Sequence, residues 1–301
     1  MKIVLTGSVG NISQPLANSL VHDGHDVTII STNPAKTAII NELGGTAAIG
    51  SIDDVDFLCK AFAGADAVYC MVPPNFREPD PVAYYIRITN NYAKAIQAAQ
   101  VKRAVYLSSY GAEHEQGTGV ITGSHKGEEL LKAVPGLSLT FVRPGYFFYN
   151  LLNFVKMIKV AGMIAANYGG NDKLLMVAPS DIAAAVAEEL VNPKPDAVRY
   201  VGSDDRTCNE IAEVLGKAIG IPALQWQVIS DEDNKAGLIA AGVPPAMAAS
   251  LTELGHATHT GLLRGDVDQH PIPLGKVKLE DYAPTFAAVY HATSVDAPVG
   301  H

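Results

Sequence analysis

Short apolar runs alternate with helical segments through the first half of the chain, and that alternation constrains the fold more than any other feature. The runs are KIVLTG (2–7), DVTIIS (26–31), AAIG (47–50), AVYCMV (67–72), RAVYLSS (103–109) and LTFVRP (139–144). Between them, residues 15–23, 35–42, 53–62, 83–99 and 127–133 have helical apolar spacing or helix-forming composition. Strands that are apolar nearly throughout must be buried on both faces, which predicts a parallel sheet covered by helices on each side. The expected fold class is therefore α/β, a doubly wound parallel sheet. Beyond about residue 145 the pattern turns helix-rich, as in NLLNFVKMI, SDIAAAVAEELV and TCNEIAEVLGKAIG, with isolated strands at RYVG and QWQVIS. This predicts a first domain over 1–150 and, over 151–301, mainly a smaller second lobe with some segments returning to the first domain. The tail SVDAPVGH has little to bury and is expected to fray.

Composition narrows the function classes. With 31 acidic against 22 basic residues the net charge is -9, so the overall field repels polyanions and argues against direct nucleic-acid binding. The three cysteines, Cys59, Cys70 and Cys208, form no CxxC pair and stand beside no histidine set, so no metal site is expected and a reducing, cytoplasmic setting fits best. No window reaches about 18 uninterrupted apolar residues, so no membrane span is expected. A small-molecule substrate and a monomer or homodimer are the expected partners.

The first run feeds GSVGNIS, a turn that opens a helix whose N–H groups and dipole suit a pyrophosphate. Gly7 permits the sharp turn, and Gly10 removes the Cβ that would block a phosphate. Ser13 stands where a third glycine would let the helix pack closely, and a small serine is expected to be tolerated there. A site that prefers NAD usually carries an acid at the end of the second strand. Here that stretch is Ser31-Thr32-Asn33-Pro34-Ala35-Lys36, with hydroxyls, an amide and a lysine but no carboxylate. It suits a 2′-phosphate, so NADP(H) is favoured over NAD(H).

With these residues in view, the chain resembles the NmrA-like branch of the atypical short-chain dehydrogenases over almost its whole length. TGSVGNIS resembles that branch's TGxxGxxG, and STNPAK its R-N-P-x-K turn with Thr32 in place of arginine. SSYGAE follows the fifth strand, KGEELL matches the active-site helix, VRPGYFFYNLL the R-P-G-x-F-x-x-N segment, and PSDIAAAVAEEL the D-I-A helix. GIPALQWQVISDEDNKAGLIAAGVPP resembles the substrate-lobe strand and helices. The resemblance implies that Thr6, Gly7, Val9, Gly10, Asn11 and Ile12 lie along the pyrophosphate, with Ser31, Thr32, Asn33 and Lys36 near the adenosine ribose. It places Ser51, which replaces an acid, and Ile52 on the adenine side. Met71, Val72 and Pro73 fall along the cofactor's middle section, and Ser108, Lys126 and Tyr146 at its nicotinamide end.

Mainstream short-chain dehydrogenases use Ser, Tyr and Lys, because a hydride arriving at a carbonyl leaves an alkoxide that needs a nearby acid. This sequence has no Y-x-x-x-K; aligned on Lys126, Thr122 takes the tyrosine position. Three candidates remain for the catalytic work. Lys126 would anchor the ribose, His125 would be an alternative acid, and Tyr110 follows the serines Ser108 and Ser109. Each has a rival reading, as an exposed helix residue or a pocket wall. A reduced quinone anion is a much weaker base than an alkoxide and takes its proton from water, so loss of the tyrosine weighs less against quinones than against ketones. Tyr146, Phe147, Phe148 and Tyr149 are available to line a planar-substrate pocket or to fill a core. The expected function is an NADPH-dependent oxidoreductase acting on a quinone or related small conjugated carbonyl. The alternative is a non-catalytic redox sensor that binds the dinucleotide and a protein partner. A sugar-nucleotide isomerase or dehydratase is the weaker third reading.

Overall fold

The computed structural model describes residues 1–294 apart from Phe76 and Pro271, so the tail expected to fray lies, from residue 295 onward, outside the described residues. Along the first part of the chain come β1 (Lys2–Leu5), α1 (Ser13–His22), β2 (Asp26–Ser31), α2 (Thr37–Glu42), β3 (Thr46–Ile49), α3 (Val55–Phe62) and β4 (Ala67–Cys70). There follow α4 (Pro81–Ala98), β5 (Arg103–Leu107), α5 (Ile121–Lys132), β6 (Ser138–Pro144), β7 (Tyr146–Phe147), α6 (Val155–Ala161), β8 (Ile164–Ala166) and β9 (Lys173–Val177). The chain continues through α7 (Pro179–Val191), β10 (Val198–Val201), β11 (Asp204–Thr207), α8 (Cys208–Ile219) and β12 (Trp226–Val228). The last helices are α9 (Asp231–Ala240), α10 (Pro245–His259), α11 (Gly265–Gln269) and α12 (Leu279–Ala292).

Seven strands form one sheet in the order β10-β6-β5-β4-β1-β2-β3, every pair parallel. The doubly wound α/β class follows directly, with the order reversing between β1 and β4, where such sheets open a crevice at their carboxyl ends. One face buries Leu16, Ala17 and Leu20 of α1 with Ile182 and Val186 of α7. The other buries Leu58 and Phe62 of α3 with Tyr84, Ile88, Tyr92, Ala95 and Ile96 of α4, a run at helical spacing. α4 starts sharply because Pro81 follows Asp80, whose carboxylate accepts the Ala83 N–H at 2.9 Å. Each fully buried aliphatic or aromatic side chain contributes about 1.5–3 kcal/mol, so these two layers dominate the hold on the sheet.

RYVG is not an isolated strand. Val198–Val201 pairs with Phe141–Pro144 as the seventh strand, and α7 returns to cover α1. β10 lies at the sheet's edge and is only half-buried, so its sequence lacks the continuous apolar character of the inner strands. The remaining elements build a second core from Phe148, Leu151, Leu174, Met176, Ile211, Leu215, Trp226 and Phe286. It is faced by a three-stranded sheet, β11-β9-β7, and by the pair β12-β8. QWQVIS therefore contributes β12, paired in parallel with β8.

Candidate functional site

The glycine turn sits at the carboxyl end of β1. Gly7 has φ +90°, a conformation that costs glycine little, and a Cβ there would lie 2.7 Å from Ser13 Oγ. Ser13 is buried and donates its hydroxyl to Thr6 O at 2.9 Å, so the residue replacing the third glycine holds the turn together. Thr6 Oγ1 accepts the Met71 N–H at 2.9 Å, tying the ends of β1 and β4 across the switch point. Ser8 is left-handed as well, at φ +56°, and its hydroxyl donates to Ser31 Oγ at 2.9 Å. Gly10 and Asn11 are exposed, Val9 is half-buried, and Ile12 is buried in the core under α1. α1 carries no side-chain cap and no acid in its first turn, which leaves its N–H groups and positive dipole end to an anion.

At the end of β2, Ser31 is buried and accepts the Asn33 N–H at 3.2 Å. Asn33 Oδ1 in turn accepts the Ala35 N–H at 3.0 Å, and the side chains of Thr32, Asn33 and Lys36 all reach solvent. Beyond β3, Ser51 Oγ accepts the Asp53 N–H at 3.1 Å, while Asn91 of α4 donates to Ile52 O at 3.1 Å. Beyond β4, Met71 O accepts the Tyr92 hydroxyl at 2.7 Å. Both backbone groups of Met71 are thus committed within the protein, Val72 is buried and Pro73 has no N–H, so this strand end offers packing surface rather than donors.

α5 begins at Ile121, a turn and a half before the start at 127 that the spacing predicts. Gly123 and Gly127 sit inside this helix as points of close contact. A Cβ on Gly123 would lie 2.7 Å from Tyr85 Cβ, and one on Gly127 2.6 Å from the Tyr106 hydroxyl. Thr122, His125 and Lys126 therefore lie in the first turns of a helix. The Thr122 and Thr118 hydroxyls are 3.4 Å apart. His125 Nδ1 donates to Ala112 O at 2.9 Å, because a carbonyl only accepts, and in the neutral ring this leaves Nε2 as an acceptor. Lys126 Nζ reaches Glu115 Oε1 at 3.4 Å from a half-buried position.

Ser108 is buried, and its hydroxyl donates to Glu128 Oε1 at 2.6 Å. Glu128 is also clamped by Arg143 through Nε at 2.9 Å and Nη2 at 2.7 Å. Arg143 Nη1 continues to Glu113 at 3.1 Å and to the Tyr200 hydroxyl at 2.9 Å, and Tyr200 donates to Asp266 at 2.5 Å. Burial by itself pulls the Arg143 pKa down, but hydrogen bonds and charge from Glu128 outweigh it and push the guanidinium up. Tyr110 packs with Ala112, Ile121, Ala257 and Leu263, and burial pushes its phenol well up, only partly offset by Arg264. It is a packed side chain, far from a near-neutral acid. Tyr146 is half-buried and its phenol is likewise raised by burial, partly offset by Tyr168. The aromatic stretch divides: Phe148 is buried and stacked on Tyr282 at 5.5 Å, whereas Phe147 packs against Tyr149 at 5.0 Å. Hydrogen bonds thus join the glycine turn to Ser31 and Met71, and Ser108 to α5. Among the described residues, none joins Lys126 or Tyr146 to the turn.

Residues 1–279 match the NmrA-like family. The chain belongs to that family. It is 28% identical over 251 residues to the (4-alkanoyl-5-oxo-2,5-dihydrofuran-3-yl)methyl phosphate reductase of Streptomyces griseus subsp. griseus, covering 83% of this chain and 84% of that one. It is 26% identical over 295 residues to the NAD(P)H azoreductase of Xenophilus azovorans, covering 96% and 99%. Its fold is that of an NADPH-dependent quinone oxidoreductase from Escherichia coli, with TM-score 0.77 and 22% identity, covering 94% and 98%.

Within this NmrA-like frame the departures fall where the backbone already does the work. Ser13 fills space that Gly7 leaves open, and Ser51 closes its own turn. Sequence reasoning missed the buried Glu128–Arg143 pair, although both residues stand inside the quoted KGEELL and VRPGYFFYNLL segments. It also missed Ser8, Asn91 and Tyr92, which brace the strand ends. Asn91 gave a usable signal, a polar residue on the apolar face of α4.

Proposed function

We propose that this protein is an NADPH-dependent oxidoreductase that reduces a quinone or a related small conjugated carbonyl. The observation that carries the reading is the uncapped start of α1 beneath a glycine cradle, beside a β2 end with an exposed lysine and no carboxylate. A Cβ on Gly10 would lie 3.1 Å from Gly7 O, so the cradle depends on its missing side chain, as close approach of a phosphate requires. The N–H groups from Val9 to Ile12 would hold the pyrophosphate. Thr32, Asn33 and Lys36 would hold the 2′-phosphate, Lys36 supplying the charge that a ribose hydroxyl would not need. Ser51 and Ile52 would border the adenine, with Met71, Val72 and Pro73 packed along the middle of the dinucleotide. When bound, the reduced nicotinamide supplies the hydride.

Lys126 would leave its weak partner Glu115 for the nicotinamide ribose. His125 would present Nε2, its orientation set by the Ala112 carbonyl. Ser108 spends its proton on Glu128 and keeps only lone pairs, so it accepts rather than donates. Tyr110 is packed away and Tyr146 lines the wall between the two cores. Thr122 in the tyrosine position suits an acceptor whose reduced anion is a weak base. The names of the matched relatives, a phosphate-ester reductase, an azoreductase and a quinone oxidoreductase, support reduction over a purely regulatory role.

The test is one preparation titrated with NADPH and with NADH, then followed by nicotinamide absorbance as quinones are added. Tighter NADPH binding and cofactor oxidation upon quinone addition are expected. Tight NADPH binding without oxidation by any of a broad quinone and enal panel would overturn the catalytic reading.

A further inference from the structure

The acceptor's end of the site can be taken further, on the basis of the reductase reading above. Thr122 cannot supply a phenol, and its hydroxyl faces Thr118. Phenols reach this end from other elements. Tyr85, in the first turns of α4, lies directly on α5: a Cβ on Gly123 would be 2.7 Å from Tyr85 Cβ and 2.8 Å from Cγ. The absent side chain at 123 therefore admits the stem of Tyr85 one residue from Thr122.

Tyr149 comes from the turn after β7 and is half-buried, with the Phe147 ring tilted 31° against it at 5.0 Å. Its neighbour Tyr69, at the centre of β4, has a buried hydroxyl with no hydrogen-bond partner among the described residues. The hydroxyls of Tyr85 and Tyr149 likewise make no hydrogen bond among the described residues. Burial raises both phenols, and for Tyr149 burial and then the nearby Tyr85 push it up to about 12. At neutral pH both hydroxyls keep their protons and remain donors.

A buried polar group without a partner costs about 1–3 kcal/mol, a cost that falls on the Tyr69 hydroxyl, whereas the half-buried Tyr85 and Tyr149 hold hydroxyls that no protein acceptor among the described residues claims and that are open to a ligand. The α4 layer shows the contrast: Tyr92 and Tyr106, on the same side of the sheet, both have partners, Met71 O at 2.7 Å and Thr89 Oγ1 at 3.1 Å.

We propose that Tyr85 and Tyr149 form the polar end of the acceptor site and donate hydrogen bonds to one carbonyl oxygen of a flat conjugated acceptor, whose ring lies along Phe147. Negative charge gathers on that oxygen as the acceptor takes up a hydride, and two fixed donors stabilise it there. Both phenols keep their protons, and no bond to the protein forms or breaks. One hydride from the reduced nicotinamide and one proton from water convert the carbonyl acceptor to its hydroxyl form.

The experiment is calorimetric titration of 1,4-naphthoquinone into protein saturated with NADP⁺, followed by turnover with NADPH. Removing one donated hydrogen bond should raise the Kd for naphthoquinone roughly tenfold in Tyr85→Phe and in Tyr149→Phe, and lower kcat, with NADP⁺ affinity unchanged. Tyr84→Phe, whose ring is buried in the α4 layer, serves as the control and should match the parent protein. Phe leaves the apolar packing in place, so loss of folding does not explain such a result. If the parent protein binds and reduces naphthoquinone while both variants and their double mutant stay within about twofold of it, this inference falls alone. If the parent protein binds NADP⁺ but neither binds nor reduces naphthoquinone, the quinone reading falls and takes this inference with it.

Discussion

The two ends of the candidate site are built on different principles. At the glycine turn the arrangement is set by the backbone: Gly7 in a left-handed conformation, an uncapped α1, hydroxyls of Ser13 and Ser31 bonded to main-chain groups close by in sequence, and the Thr6 hydroxyl holding the main chain of the neighbouring strand end. At the α5 end it is set by side chains from distant elements, with Arg143 reaching Glu128, Glu113 and Tyr200. A backbone-built site tolerates changes in most side chains but not in its glycines. A side-chain-built site tolerates backbone shifts poorly and depends on every charge being paired.

The sharpest way to break this comparison is Arg143→Met. It leaves Glu128 buried without its guanidinium, which costs about 3–5 kcal/mol and should show as a large drop in the urea midpoint. Pairing it with Glu128→Gln should recover a good part of that loss, since the stranded charge goes too. If Arg143→Met is as stable as the parent protein, the α5 end is not held by charge.

The corresponding attack on the other end is Gly7→Ala. A left-handed backbone costs alanine about 1–2 kcal/mol, and the Cβ meets Ser13 Oγ in addition. NADPH affinity should fall at least tenfold, measured by titration, while circular dichroism still reports a folded chain. Lys36→Ala should act more selectively. Losing one charge-assisted contact of about 1.5–3 kcal/mol should weaken NADPH binding by at least tenfold and leave NADH binding unchanged. Equal losses for the two cofactors would remove Lys36 from the 2′-phosphate.

The smallest expected effect lies at the outer edge of the charge network. The Tyr200 hydroxyl, and then His270, hold the Asp266 carboxyl below its ordinary value, against a smaller effect of burial. A carboxyl with a lowered folded-state pKa adds stability above its unfolded pKa and loses it as pH falls through the folded value. Asp266→Asn should therefore flatten the acid limb of a stability–pH curve below about pH 4. Because Asp266 is 38% exposed, the change should stay under about 1 kcal/mol.

The inner strands were legible because strands buried on both faces write their burial as continuous apolar runs. The turn was legible because glycine chemistry is local. The start of α5 was legible only from 127 onward, since the stretch 121–126 has little apolar spacing of its own and Gly123 is explained only by α4 lying against it. β10 was legible as a strand but not as part of the main sheet, because an edge strand that is only half-buried lacks the continuous apolar run of its inner neighbours. The network around Arg143 was illegible for a different reason: its contacts span 15 residues to Glu128 and 57 to Tyr200, and nothing in a local window marks them as partners. Tyr110 looked available from its place after two serines, but the contact with Leu263 that buries it comes from the far end of the chain.

The closeness of α4 and α5 has a bearing on how a chain like this changes its diet of substrates. Their spacing is set by two side chains that do not exist, at 123 and 127, and Tyr85 stands in the first of those gaps. A single methyl group at 123 would push the helices apart and carry the phenol with them. If Tyr85 borders the acceptor as proposed, the mouth would be resized without any residue that touches the acceptor having been exchanged.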